Sequence, residues 1–433
     1  MKLNVCLLND SFPPLIDGVA NTVINYAENI HTRLGRCSVV TPKYPAVYDH
    51  YDFPVIRYPS INLQKLVGYR AGYPFGARTL KKLEDQHFDI IHSHCPMASG
   101  LLARTLRERV DAPLILTYHT KFDIEIAKVL PTESLQSIAT KLLINNIHAC
   151  DEVWAVSNGA AENMRSMGYQ GEVVIMENGV DFPCETIPPE QCLALRKELG
   201  IAPEETVFLF VGRCMWYKGF RPALEALQKV RAAGHPFKYV VVGDGADRKE
   251  ISAYAEQLGL KDLCLFVGSI QDRALLRRYF GMADLFLFPS TFDTNGLVVR
   301  EAAGTALGSL IIEDSCAAEG IIHLQNGILA KENADDIADK LCHICENKAL
   351  AEKIGKAAQK EIYISWSDAV DKAYRRYEYL YERMQSGQMP RKDTKGNSVF
   401  ELLSDLSAGL NKLMNVPGAV KAKSGQIYHK LKK

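Results

Sequence analysis

Two series of short apolar segments, separated by stretches long enough for amphipathic helices, constrain the fold of this chain most strongly. The first series occupies residues 4–10, 37–42, 88–94, 113–120, 152–157 and 173–179. The second occupies residues 207–213, 238–245, 263–269, 284–290 and 308–314. Continuous apolar runs bounded by Gly, Pro, Asp or Ser, with helices between them, are typical of buried parallel strands. We therefore predict an α/β fold with two doubly wound parallel-sheet domains, joined through the Pro-rich segment 181–191.

Composition excludes several classes of protein. The chain has 433 residues, of which 47% are hydrophobic, enough for two domain cores. Lys plus Arg and Asp plus Glu are each 51, so the chain lacks the overall positive field of a nucleic-acid-binding protein. No apolar run approaches the ~18 residues of a membrane span, and Met1 leads directly into a strand, so we expect neither a membrane span nor a signal peptide. Eleven scattered Cys suit buried thiols in a reducing cytoplasm.

The loops after the strands carry the candidate functional residues, because ligands bind beyond the carboxyl ends of the strands in doubly wound sheets. Gly18 opens a helix, and its backbone can approach a phosphate closely. Arg213 and Lys218 supply the fixed positive charge that a departing pyrophosphate requires. Asp293 and Glu301 offer carboxylates, which accept hydrogen bonds from sugar hydroxyls.

Each of these features also has a structural explanation. A histidine at a strand end, such as His92, His94 or His119, is commonly hydrogen-bonded to backbone. The two carboxylates can cap and solvate their helix, and the two cations can belong to a solvated loop. The gathering of all these groups at the ligand-binding edge of two domains favours the functional interpretation.

Several motifs resemble those of the retaining family 4 glycosyltransferases of the GT-B fold. They are "GRCMWYKG" (212–219) and "PSTFDTNGLVVREAAG" (289–304), preceded in family order by "DSFPPLIDGVANT", "DIIHSHCP", "TYHT", "AVSNG" and "MENGVD". The resemblance covers residues 1–385. It implies two facing Rossmann-like domains with a cleft between them, an acceptor-side domain at 1–182 and a nucleotide-sugar-binding domain at 183–365. It also implies that a helix at about 366–385 packs back on the first domain.

The resemblance implies a role for each matching residue. Asp293 contacts the donor sugar, Glu301 holds the ribose, and His119 lies beside the transferred sugar. Arg213 and Lys218 bind the diphosphate and count, with Asp293 and His119, as the catalytic residues. The remaining donor contacts are the amide of Gly18 and the helix start at Gly296, Leu297 and Val298. The family needs no cofactor, since the nucleotide sugar is a substrate, and no metal is expected to be required.

Finer details of the motifs suggest the substrates. The segment "DTNGLVVRE" is similar to that of glucosyltransferases acting on diacylglycerol, which implies UDP-glucose as donor and a lipid as acceptor. The chain departs from the family at Asp293, where Glu is usual, and in the segment after Gly304. A soluble glycan or small-molecule acceptor therefore remains an alternative, as does a catalytically silent sugar-nucleotide-binding protein. A nucleotide-sugar epimerase or dinucleotide enzyme is a third class, but "NDSFPPLIDGV" has one glycine where a dinucleotide fingerprint needs three.

The last residues, 386–433, lie beyond the resemblance and form a basic amphipathic tail. From 391 to 433 there are nine Lys or Arg against three Asp or Glu. An apolar stripe at helical spacing comprises Val399, Leu402, Leu403, Leu406, Leu410, Leu413 and Met414. Together these signals predict a peripheral anchor on an anionic membrane at its cytoplasmic face. The alternative is that the stripe docks on the enzyme's own surface.

Overall fold

The structure of the protein, a computed structural model, describes residues 1–15, 17–62 and 70–389. The predicted basic tail lies outside the described residues from 390 onward, so the membrane-anchor interpretation stays a prediction. Within the described part, no helix is both long and apolar enough to cross a membrane.

The secondary structure alternates as the sequence pattern indicates. The strands are β1 (Asn4–Leu8), β2 (Arg36–Pro42), β3 (Val55–Tyr58), β4 (Ser60–Asn62), β5 (Arg70–Gly72), β6 (Ile90–Ser93), β7 (Leu114–Tyr118), β8 (Glu152–Ala155), β9 (Val174–Ile175), β10 (Thr206–Val211), β11 (Phe237–Val242), β12 (Cys264–Gly268), β13 (Leu285–Phe288), β14 (Ser309–Ile312) and β15 (Ile328–Ala330). The α-helices are α1 (Gly18–Asn29), α2 (Ala77–Glu84), α3 (Ala98–Arg107), α4 (Phe122–Val129), α5 (Glu133–His148), α6 (Asn158–Ser166), α7 (Pro189–Glu198), α8 (Phe220–Ala232), α9 (Arg248–Gln257), α10 (Arg273–Met282), α11 (Leu297–Gly304), α12 (Ala334–Glu346), α13 (Lys348–Glu361) and α14 (Trp366–Gln385).

Side-chain caps fix the starts of several helices. Asp17, Thr132, Asp272, Asn333 and Asn347 each accept a hydrogen bond from a backbone N–H in the first turn of the helix that follows. Such caps satisfy donors that a helix start otherwise leaves unpaired. Local sequence thus sets where these helices begin.

The first sheet has seven strands in the order β3-β2-β1-β6-β7-β8-β9. The pairs β3–β2, β2–β1, β1–β6 and β6–β7 are parallel. All six strands of the first predicted series are confirmed. The strand β3, which has alternating burial and adds an edge beside β2, was not predicted from the sequence. Neither were β4 and β5, which pair antiparallel as a separate two-stranded sheet.

The second sheet has six strands in the order β12-β11-β10-β13-β14-β15, and every neighbouring pair is parallel. Its five predicted strands are confirmed, and β15 was missed because it has only three residues. The central residues Val207, Leu209 and Leu287 are fully buried. Burial on both faces explains why these segments are continuously apolar.

Each of the two large sheets contains one point where the strand order reverses direction. In the first sheet it lies between β1 and β6, and in the second between β10 and β13. We call these the first and second switch points. Crevices at such points, at the carboxyl ends of the strands, are where open α/β sheets bind ligands. The predicted fold class, two Rossmann-like doubly wound units, is confirmed.

Contacts between residues divide the chain into two compact units. One comprises the described residues of 1–154, 163–174 and 373–389, and the other comprises residues 155–162 and 175–372. Within the first unit, the Tyr374 hydroxyl of α14 accepts from the Leu3 amide at 2.7 Å, and Arg376 pairs with Glu152 at 2.6 Å. The boundaries at 182 and 365 stay predictions of domain limits.

Candidate functional site

The second switch point brings two loops together. The loop after β10 contains Arg213 and a short 3-10 helix, Trp216–Lys218, and the loop after β13 runs to α11. Gly219 ends the short helix with φ +78°, and a Cβ there would lie 2.1 Å from the carbonyl oxygen of Pro289. A glycine is therefore needed both for the backbone conformation and for the close approach of the two loops.

An ion pair joins the two loops. Lys218 Nζ donates to Asp293 Oδ1 at 2.5 Å, and Ser290 Oγ donates to Asp293 Oδ2 at 2.6 Å. The Lys218 side chain is 9% exposed and that of Asp293 24% exposed. The structure thus brings the predicted phosphate-binding cation and the predicted sugar-binding carboxylate into direct contact, which sequence analysis did not foresee.

Arg213 lies in the same loop but is exposed. Within the described part of the chain, its guanidinium forms no hydrogen bond or ion pair. All five of its N–H donors therefore stay available to an anion, and the planar fork of a guanidinium matches the oxygens of a phosphate.

The start of α11 adds backbone donors to this edge. Gly296 is the N-cap, with φ +57°, and a Cβ there would lie 2.8 Å from Ala317 Cβ. Among the described residues no side chain caps this helix, which leaves the amides of Leu297 and Val298 at its positive end. An anion placed there would meet both the N–H groups and the helix dipole.

Glu301 lies one turn further along α11. Its side chain is 16% exposed, and its Oε1 accepts from Arg273 Nη2 at 2.7 Å. Burial raises the pKa of Glu301, and the charge of Arg273 opposes that rise. Arg273 also lies over the ring of Phe182, with its Cζ atom 4.3 Å from the ring centre, and 3.8 Å from Asp181. In this structure the predicted ribose acceptor is thus held by a cation.

The segment after Gly304, which departs from the family pattern, packs beside the start of α11. A short 3-10 helix, Cys316–Ala318, places Ala317 against Gly296. Glu319 accepts from the Asn158 and Gly159 amides, both at 2.7 Å, and so caps α6. The carboxylate of Glu319 therefore serves as the N-terminal cap of α6.

In the first unit, the first switch point presents Gly18 as the opening residue of α1. Asp17 caps this helix by accepting from the Ala20 amide at 2.7 Å. A Cβ at Gly18 would meet no described atom within 4 Å, and Gly18 is not among the residues with positive φ. Neither backbone conformation nor packing in the described chain therefore explains a glycine here, whereas close approach of a ligand would.

His119 follows β7 in the same unit and is 7% exposed. Its Nε2 atom lies 3.0 Å from Nδ1 of His94, which follows β6. Burial lowers the pKa of His119 to about 3 and holds the pKa of His94 well below its usual value. Both imidazoles are therefore neutral at pH 7 and act through hydrogen bonds rather than charge.

Sequence analysis missed several residues of these sites. Ser290 stands three residues before Asp293 and could have been found from that spacing. Arg273 comes from another helix, 28 residues before Glu301, and no local pattern links the two. Asn295 has both amide atoms buried without a hydrogen-bond partner among the described residues, in a cavity beside Gly296. In the described ranges no group of three or more His, Cys, Asp or Glu is arranged to hold a metal ion.

Known glycosyltransferase families match the two halves of the chain separately. Residues 16–182 match the model of the Glycosyltransferase Family 4, and residues 193–361 match that of the Glycosyl transferases group 1. An alpha-monoglucosyldiacylglycerol synthase of Acholeplasma laidlawii is 25% identical over 393 residues, which cover 86% of this chain and 98% of that protein. The enzyme of the same name from Streptococcus pneumoniae is 25% identical over 311 residues, covering 70% of each chain.

Solved structures show the same fold. The crystal structure of HepE from Anabaena in complex with UDP has a TM-score of 0.70 at 18% identity, covering 88% of this chain and all of that chain. A sucrose-phosphate synthase from Thermosynechococcus elongatus has a TM-score of 0.67 at 20% identity, covering 88% of this chain and all of that chain. With two Rossmann-like units and family segments that span most of its length, this chain belongs to the family 4 glycosyltransferases of the GT-B fold.

Proposed function

We propose that the protein transfers a hexose, with retention of configuration, from a nucleotide diphosphate sugar to a lipid acceptor such as diacylglycerol. UDP-glucose is the proposed donor. The observation that carries the proposal is the edge at the second switch point. It bears three cations, two carboxylates and a helix start that no described side chain caps: Arg213, Lys218, Arg273, Asp293, Glu301 and the helix from Leu297. The names of two relatives, both alpha-monoglucosyldiacylglycerol synthases, support glucose and diacylglycerol.

Stabilisation of the leaving nucleoside diphosphate is the main electrostatic demand of this reaction. Arg213 is exposed and without an ion-pair partner in the described chain, and Lys218 is held in place by Asp293. We assign the diphosphate to these two cations and to the amides at the start of α11. A preorganised set of this kind stabilises the negative charge as it develops.

The two carboxylates then bind hydroxyl groups. We assign the donor sugar to Asp293 and the ribose to Glu301. Asp293 is one methylene shorter than the usual Glu, but its bonds to Lys218 and Ser290 fix its orientation. Glu301 keeps one oxygen for a hydroxyl while the other accepts from Arg273. Gly18 and His119 of the first unit keep their predicted roles as an amide for the diphosphate and a neutral imidazole for the sugar.

We assign retention of the sugar configuration to same-face attack: the hydroxyl of the acceptor substrate attacks the sugar from the face on which the nucleoside diphosphate leaves. A β-phosphate oxygen takes the proton of that hydroxyl. Asp293 is already bonded to a lysine and a serine, and Glu301 to an arginine. Such engaged carboxylates are poor nucleophiles, so we assign neither one to a covalent glycosyl intermediate. A metal is not required in this mechanism, because side chains and amides carry the positive charge.

The proposed lipid acceptor also determines where we propose that the protein acts. A lipid acceptor requires the enzyme to work at a membrane surface, and we propose that it associates peripherally with the cytoplasmic leaflet. Phosphatidylglycerol-containing vesicles with and without diacylglycerol, incubated with radiolabelled UDP-glucose, test this. We expect label in the lipid fraction only when diacylglycerol is present.

Other outcomes of the same assay distinguish the alternatives. Label transferred to a soluble glycan or small molecule, but not to lipid, would replace the acceptor. Label transferred from GDP-mannose rather than UDP-glucose would replace the donor. Tight binding of a nucleotide sugar without transfer or hydrolysis would make the protein a silent sugar-nucleotide-binding protein.

A further inference from the structure

The first switch point contains a buried cluster of three histidines. His92 and His94 stand at the end of β6, and their rings are 4.1 Å apart. His119 follows β7 and stacks on His94 at 5.2 Å with an interplanar angle of 22°. His92 is 0%, His94 2% and His119 7% exposed. Burying three imidazoles side by side costs solvation free energy, which hydrogen bonds to their ring nitrogens must offset.

His92 is satisfied on both ring nitrogens. Nδ1 lies 2.6 Å from the Tyr377 hydroxyl, and Nε2 lies 2.7 Å from Thr117 Oγ1. A hydroxyl can donate or accept, so His92 fits in either tautomer. This imidazole serves as a structural link between β6, β7 and α14.

His94 differs, because one of its nitrogens contacts only another imidazole. Nδ1 of His94 lies 3.0 Å from Nε2 of His119, and Nε2 of His94 is buried without a hydrogen-bond partner among the described residues. Of two neutral imidazole nitrogens that share a hydrogen bond, one carries the proton and the other accepts. Two arrangements are therefore possible for this pair.

The unpartnered nitrogen distinguishes the two arrangements. If His119 donated from Nε2, the single proton of His94 would have to sit on its Nε2, as a buried N–H with no acceptor. If His94 donates from Nδ1, its Nε2 is a bare acceptor and no donor of His94 is orphaned. Buried N–H groups without partners are rarer in proteins than acceptors without donors, so the second arrangement is favoured.

We propose that His94 is a positioning residue for His119: by donating from Nδ1 to His119 Nε2, it fixes the ring of His119 and places the proton of that imidazole on Nδ1. In this arrangement His119 carries its donor at Nδ1 and its acceptor at Nε2. This inference rests on the proposed function, in which His119 contacts the transferred sugar. It adds His94 to the residues that affect transfer, and His94 does so only by orienting His119.

Two substitutions at position 94 separate the hydrogen bond from the space that the ring fills. His94→Phe keeps an aromatic ring of similar shape and removes the donor. His94→Asn places an amide N–H near the position of Nδ1 and loses the outer part of the ring. His92→Phe is the matched control, since it removes a neighbouring buried imidazole that does not bond to His119. Circular dichroism and thermal melting establish that each variant is folded.

The first readout is the tautomer of His119 in the ligand-free, full-length protein. Nitrogen–proton correlation spectra of histidine-labelled protein show which ring nitrogen carries the proton, and only eleven histidines contribute signals. We expect His119 to be protonated on Nδ1 in the wild type, in His94→Asn and in His92→Phe, and to lose that preference in His94→Phe. Protonation of His119 on Nε2 in the wild type, or an unchanged preference in His94→Phe, overturns the proposal.

The second readout is steady-state glucosyl transfer. We expect His94→Phe to lower kcat by about tenfold or more, because misplacing a contact group is costly, while the KM for the donor changes much less. His94→Asn should recover most of the lost kcat. Equal kcat in His94→Phe and His94→Asn overturns the proposal. The tautomer is read without substrate, so a protein that transfers no sugar would contradict the proposed function and leave the first readout intact.

Discussion

The two switch points occupy equivalent places in their sheets but differ in electrostatics. At the second, Lys218 pairs with Asp293 and Arg273 pairs with Glu301, and Arg213 is exposed. At the first, Gly18 is exposed but the histidines are buried and hydrogen-bonded, and burial lowers the pKa of His119 to about 3. Burial also raises the pKa of Asp10, which follows β1.

This difference suits the two switch points to different kinds of ligand group. A diphosphate needs fixed positive charge, which the second switch point supplies. Uncharged hydroxyl groups need donors and acceptors in defined directions, and the neutral histidines of the first switch point offer such groups. The two sheets share a topology, but the residues that follow their strands differ. The second switch point therefore forms a charged edge, and the first forms a neutral edge. The variants below test that contrast.

Loss of a cation at the charged edge should have the largest effect. We expect Lys218→Ala to lower kcat for transfer by about 10²–10³-fold, since it removes a donor aimed at the leaving group. Lys229→Ala is the matched control, because Lys229 pairs with Asp335 on the surface at 2.6 Å and is half exposed. Equal activity of the Lys218 and Lys229 variants in a transfer assay would break the contrast between the two edges.

The second largest effect should come from Glu301→Gln, which we expect to weaken binding of the nucleotide-sugar donor. A charge-assisted hydrogen bond is worth ~1.5–3 kcal/mol, so we expect about a ten- to hundredfold loss of affinity in calorimetric titration. Because burial raises the pKa of Glu301, the wild-type affinity should fall as the pH is lowered through that raised pKa, where the carboxylate gains a proton. The Gln variant should lack this pH dependence. The same pH profile in both proteins would remove Glu301 from the donor site.

Asp293→Asn should separate sugar from diphosphate. We expect slower transfer, because the sugar loses a charged acceptor, but no loss of affinity for the free nucleoside diphosphate. That affinity should even rise slightly, since Lys218 is relieved of its carboxylate partner. Measured by titration with the diphosphate alone, a parallel loss of affinity and transfer would instead make Asp293 a structural support for Lys218.

Gly18→Ala should have the smallest effect on transfer, and it should leave the stability of the fold nearly unchanged. No described atom lies within 4 Å of the added Cβ, so the melting temperature should change little, within the ~0.5 kcal/mol typical of surface substitutions. Transfer should fall several-fold if a phosphate approaches this amide. Gly35→Ala is the contrasting control, because its Cβ would clash with the Leu3 carbonyl and the Tyr374 hydroxyl, and it should destabilise the fold. Unchanged transfer in Gly18→Ala would remove that amide from the donor site.

The fold could be predicted from sequence because its strands are buried on both faces and are therefore continuously apolar. Four strands escaped prediction. Of these, β3 and β15 are short and lie at sheet edges, where that signal is weak, and β4 and β5 have three residues each and form a separate two-stranded sheet. Gly296 was predicted from the sequence as part of a helix start, whereas the left-handed backbone at Gly296 and Gly219 is apparent only in the structure. The contacts of Arg273 with Glu301 and of His94 with His119 could not be predicted, because they form only through tertiary packing.

The central claim is that the charged edge of the second unit binds the diphosphate of the donor. Calorimetric titration with uridine and with UDP, in the wild type and in the double variant Arg213→Ala/Lys218→Ala, tests it most directly. We predict that UDP binds the wild type at least about a hundredfold more tightly than uridine, from two charge-assisted contacts, and that most of this advantage is lost in the double variant while uridine binding is retained. Equal binding of uridine and UDP to the wild type, or an undiminished advantage of UDP in the double variant, would contradict the account.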